Sequence, residues 1–101
     1  MAAENWFRKN PAAVYDIAVD FTNKLDTGRS VSSCTVTAID LYDNSNATSA
    51  VLDDGTAVVA SDVCSEGVKA GTSGHEYKLT FLATLDNADK LEEEVFMYVE
   101  D

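Results

Sequence analysis

The sequence predicts an all-β protein, an antiparallel β-sandwich of about seven short strands. Three observations carry that expectation. Polar and apolar residues alternate with a period of two, most plainly at Tyr15, Ile17, Val19 and Phe21 and again at Tyr77, Leu79, Phe81 and Ala83. Turn-forming Gly, Asn, Asp and Ser residues recur between those stretches. No segment sustains the i, i+3, i+4 spacing of an amphipathic helix.

Taken in order, residues 1–10 read as a flexible lead-in to a single domain over 11–101, with Pro11 stopping any helix. Trp6 and Phe7 are unusual in such a segment and are candidates for docking on the domain or on a neighbour. From Val14 the first alternating strand runs to Phe21, with Asp16, Ala18, Asp20 and Thr22 on its other face. Thr22 to Gly28 reads as a turn or a single helical turn, and Leu25 is placed to plug one end of the core. Ser30 to Ile39 is dense in β-branched residues and is expected to turn Cys34, Val36 and Ala38 inward.

The polar cluster from Asp43 to Ser49 predicts a loop. After it come a short strand over Ala50–Asp53, a tight hairpin turn at Asp54-Gly55 and a returning partner over Thr56–Ala60. Asp62–Val68 is one more strand, closed by the glycine-containing stretch from Lys69 to Gly74. Tyr77 to Thr84 alternates most clearly, Asp86 to Asp89 turns the chain, and Leu91–Glu100 forms the last strand. If Val95, Met97 and Val99 face the core, Phe96 and Tyr98 face outward, and adjacent exposed aromatics suggest a protein interface. Together these short strands form the pattern of an immunoglobulin-like sandwich.

Composition narrows the function. The 101 residues suffice for one domain with a modest core. Eighteen acidic residues against seven basic ones give a net charge of −11. Such a chain cannot neutralise phosphates over a broad face, which counts against nucleic acid and against anionic membranes as partners. It favours basic protein patches instead. No apolar run approaches the ~20 residues of a membrane helix. The N-terminus lacks the basic start and apolar centre of a secretory signal, so the expected place of synthesis and assembly is the cytoplasm.

The candidates for chemistry are sparse. His75 is the single histidine, in a glycine-flanked loop with no second imidazole to share a metal. Cys34 and Cys64 lack metal-site or redox spacing and read as buried reduced thiols, with a Cys34–Cys64 disulfide left open. Asp40, Asp43, Asp53, Asp54, Asp86 and Asp89 lie near turns, but the ordered calcium loop is absent and solvated turn residues are the better account. The Asn46-Ala-Thr48 acceptor pattern has meaning only in a secreted eukaryotic protein. Ala70 to Gly74 lacks the lysine of a phosphate loop. Glu92 to Glu94 reads as edge protection. No catalytic residue, cofactor or metal is expected.

The order of elements resembles the small immunoglobulin-like structural proteins of tailed bacteriophages and prophages, of head or tail accessory, fibre or adaptor type. The resemblance rests on Asp20-Phe21 and Leu25, on Val31 and Cys34 to Thr37, on Ala70 to Ser73 leading into Tyr77 to Thr80, and on Asp86–Lys90 before Glu94 to Val99. Phe21 stands where that group more often has Trp. The resemblance implies a non-enzymatic virion subunit whose partners are other virion proteins and copies of itself. Two rivals come from other classes. One is a module binding cell-surface glycans, with Trp6 or Tyr42 as stacking platform; the other is a small hydrolase using Cys34 and His75.

Overall fold

The computed structural model describes residues 6–101. Eight strand segments form two sheets: β1 (Trp6–Lys9), β2 (Tyr15–Asp20), β3 (Val31–Asp40), β4 (Ser45–Asn46), β5 (Val58–Ala60), β6 (Val63–Val68), β7 (Glu76–Leu85) and β8 (Lys90–Val99). The larger sheet has the order β1-β8-β7-β3-β4 and the smaller β2-β6-β5. All neighbours are antiparallel except β1, which runs parallel to β8. The protein is therefore mostly β in two sheets, as its alternation predicts.

Alternation decides what each sheet buries. On β3 it buries Cys34, Val36 and Ala38; on β7, Tyr77, Leu79, Phe81, Ala83 and Leu85; on β8, Met97 and Val99. The smaller sheet answers with Val19, Cys64 and Val68, and Phe21 closes one end. Fully burying a residue such as Phe81 or Leu79 contributes roughly 1.5–3 kcal/mol. Leu25 packs against this core just after a single 3-10 turn at Thr22–Lys24.

The stretch from 50 to 60 differs from its expected hairpin. Thr48–Val51 is one helical turn, α1, which Ala47 starts without a side-chain cap. Apolar Val51 and Leu52 are both buried, but at consecutive positions, which a flat strand on one sheet cannot achieve. Gly55, at φ +86, takes the chain across to the edge of β3 rather than back on itself. There Val36 N–H donates to the Gly55 carbonyl at 2.8 Å and Ala57 N–H to the Cys34 carbonyl at 2.9 Å. The two-residue hairpin sits later, at Ser61-Asp62 between β5 and β6. Both residues have positive φ (52° and 66°), as a type I′ turn demands. Asp62 stabilises it by accepting the Val31 N–H at 2.9 Å.

The expected lead-in also carries structure. Trp6–Lys9 is a strand, and residues 1–5 lie outside the described residues. β1 is held inward by Phe7, packed on the core, and by Lys9, whose exposure is only 1%. The Lys9 ammonium donates to the carbonyls of Ala70 (2.6 Å), Asn10 (3.0 Å) and Pro11 (3.4 Å). Gly71 beside it is obligatory: its φ is +98, and a Cβ there would lie 2.7 Å from a Val99 methyl.

Candidate partner-binding surfaces

Strand geometry places the candidate aromatics on two different faces. Because Phe7 and Lys9 turn inward, Trp6 and Arg8 point outward from the larger sheet.

 The parallel register sets Trp6 opposite Phe96 and Arg8 opposite Tyr98, and across β8 Phe96 lies opposite Lys78 and Tyr98 opposite Glu76. Trp6, Phe96 and Tyr98 therefore share one outward face, while Phe7 belongs to the core, with its ring 6.3 Å from that of Tyr15. Trp6 is 54% exposed and Phe96 and Tyr98 are half-buried. Arg8–Glu100 (3.5 Å) and Lys78–Glu94 (3.8 Å) flank the aromatics as exposed or half-exposed ion pairs.

The same edge opens into a groove of about 360 Å³ between β1 and β2. Trp6, Phe7, Val19 and Val95 supply its apolar lining, and Lys24 and Glu93 form an ion pair of 3.2 Å across it. β1 and β2 are the end strands of their sheets, so each leaves one backbone edge without a partner strand.

His75 and Cys34 do not converge. His75 Nδ1 lies 2.8 Å from Asp40 Oδ2, and the ring stacks on Tyr42 at 4.3 Å with 15° between the planes. Asp40 also accepts the Tyr42 N–H at 2.9 Å, so this cluster staples the end of β3 to the start of β7. Cys34 lies inside the sandwich at 1% exposure beside Cys64, and both thiols are free. Burial, then the neighbouring Cys64, pushes the Cys34 thiol up to about 12, and burial raises Cys64 too. A thiol so protonated is a poor nucleophile. The hydrolase reading has no assembled pair to work with.

Of the turn aspartates, Asp40, Asp43 and Asp86 accept backbone N–H groups. Asp43 accepts the Ser45 hydroxyl at 2.7 Å and the Ser45 N–H at 3.1 Å, which hold its carboxyl below the usual range. Asn46 accepts the Thr48 N–H at 2.9 Å. Among the described residues no three His, Cys, Asp or Glu side chains are grouped to hold a metal ion. No helix among them is long and apolar enough to cross a membrane.

Two groups escaped the sequence reading. Glu66 is buried, and its carboxylate accepts the N–H groups of Asp54 (2.8 Å) and Gly55 (3.2 Å). Its parity with Cys64 and Val68 was the available signal. Lys9 likewise shares the parity of Phe7, but a lone lysine gives no reason to expect three backbone carbonyls around it.

A family model described as podophage GP4 fiber-tail adaptor protein gp77 matches residues 9–98. Comparison with curated proteins and with solved structures finds no match. The family match narrows the head-or-tail resemblance to the tail. The chain belongs to the podophage fiber-tail adaptor family and is a phage tail accessory protein.

Proposed function

We propose that this chain is a non-enzymatic structural joint of the virion, linking fibre to tail through the outward face of its larger sheet. The observation that carries this reading is the gathering of Trp6, Phe96 and Tyr98 on one solvent-facing surface. Aromatics are enriched at the energetic centres of protein interfaces, and arginine beside them adds a planar donor. Arg8 stands next to Trp6 and opposite Tyr98. The partners on this reading are other virion proteins and, in a symmetric particle, copies of the chain itself.

The fold reading is finer than two sheets. We read it as immunoglobulin-like, because β6 lies between β2 and β5 while β7 lies between β3 and β8. That arrangement matches the separate B-E-D and C-F-G strand groups of such sandwiches. The parallel first strand beside β8 extends the second group. A scaffold of this kind presents surfaces and loops without needing a cleft for chemistry.

The test is reconstitution of fibre attachment with purified tails, fibres and the full chain. Trp6→Ala combined with Tyr98→Ala should abolish attachment while leaving the thermal midpoint within a few degrees of wild type. Undiminished attachment by the double variant would refute this choice of surface.

A further inference from the structure

The smaller sheet has an outer face that the adaptor reading does not use. By register, Asp16, Ala18 and Asp20 on β2 lie opposite Gly67, Ser65 and Val63 on β6, and Val58 and Ala60 on β5 continue the rows. The side chains are small, and the face is correspondingly flat. Val58 is 69% exposed at its rim. Over this sheet runs a groove of about 400 Å³ with Ser65 and Gly67 in its floor and Asp16, Asp53 and Asp54 along its sides.

Gly67 is an unusual residue for the interior of a strand, where it weakens the strand and marks a close approach. Its φ is not the reason. A Cβ there would come within 3.0 Å of Asp53 Cβ and 3.3 Å of Asp16 Oδ1. Glycine therefore lets two carboxylates lean in from opposite sides. Neither they nor Asp54 form an ion pair among the described residues. The sequence offers no Lys, Arg or His from Asn10 to Asn23 or from Ser30 to Val68, the two stretches that build this face.

We propose that the outer face of the smaller sheet is a second docking surface, whose occupant is a segment of a neighbouring virion protein carrying Arg or Lys. The flat floor admits a backbone or an aliphatic side-chain stem, and the carboxylates receive the cationic ends. Charge complementarity selects this occupant, because an acidic or neutral segment would leave the carboxylates of Asp16, Asp53 and Asp54 unanswered. This inference rests on the adaptor reading only in taking the partner to be a virion protein.

The test titrates the full, isotope-labelled chain with acetyl-(Arg-Ala)3-amide and follows the backbone amide resonances. Shifts should concentrate at Ala18, Val58, Ser65 and Gly67 and weaken at about 0.5 M salt. Asp16→Asn, Asp53→Asn and Asp54→Asn together should reduce affinity about tenfold. Asp86→Asn, Asp89→Asn and Glu92→Gln, an equal change of charge elsewhere, should leave it unchanged. Shifts spread over the whole acidic surface, or equal losses in both triple variants, would overturn the proposal. Fibre attachment measured separately with the wild-type chain tests the adaptor reading, so a failure of either is told apart from a failure of the other.

Discussion

The two sheets close over one core but treat charge in opposite ways. On and around the larger sheet, cations meet carboxylates: Arg8 with Glu100, Lys78 with Glu94, Lys24 with Glu93 and Arg29 with Asp86. The smaller sheet carries acids alone, from Asp16 and Asp20 to buried Glu66. The larger sheet also displays wide aromatics, where the smaller one displays Ala18, Ser65 and Gly67. Within a net charge of −11, the two sheets thus differ in whether their carboxylates meet cations. Each exposed pair adds only about 0–1 kcal/mol, so the contrast bears on recognition far more than on stability.

If both sheets depend equally on the shared core, the cost of a truncation there should follow the volume removed and not the sheet. Phe81→Ala in β7 should cost about 3–5 kcal/mol and Val68→Ala in β6 about 2 kcal/mol, read from denaturant midpoints at constant slope. A larger loss at Val68 would mean that the smaller sheet is the weaker partner.

Glu66 sharpens the contrast from within. Glu66→Ala should cost about 1–3 kcal/mol by leaving the Asp54 and Gly55 N–H groups without their acceptor. Glu66→Gln, which keeps an accepting oxygen, should recover part of that loss. Amide exchange at Asp54 and Gly55 should quicken in the alanine variant first.

The smallest effect concerns pH. Cys34 spans the contrast, lying on β3 beside Cys64 of the smaller sheet. Its thiol is raised from 9.0 to about 12, so between those values the unfolded chain loses a proton that the folded chain keeps. The stability this contributes is complete below pH 9.0 and is lost as pH rises toward about 12. Cys34→Ala should flatten the alkaline fall in denaturant midpoint. Lys9 acts in the opposite sense: burial lowers its pKa, so its charging penalty is relieved as pH rises toward 10.5.

Much of the fold was legible because alternation is a local signal. Cys34, Val36, Leu79, Phe81, Met97 and Val99 all lie on the buried parity that the sequence pattern assigned. The 50–60 stretch was not legible, because the Asp54-Gly55 signal is genuine but local. Gly55 does take a positive φ, yet the Glu66 carboxylate and the β3 edge, both distant in sequence, decide where the chain goes next. Ser61-Asp62 gave no comparable signal, since neither residue is glycine. For the candidate surface, strand parity foretold the outward turn of Phe96 and Tyr98. It could not foretell Trp6 beside them, because that depends on the parallel pairing of β1 with β8.

Trp6 offers the most direct test, because it is the chain's single tryptophan and lies within the proposed contact surface. Its fluorescence can be followed as the full chain is mixed with purified tails and then with purified fibres. The account predicts a blue shift and loss of acrylamide quenching on assembly, since the exposed indole becomes buried between proteins. Assembly with an unchanged spectrum and undiminished quenching would contradict it.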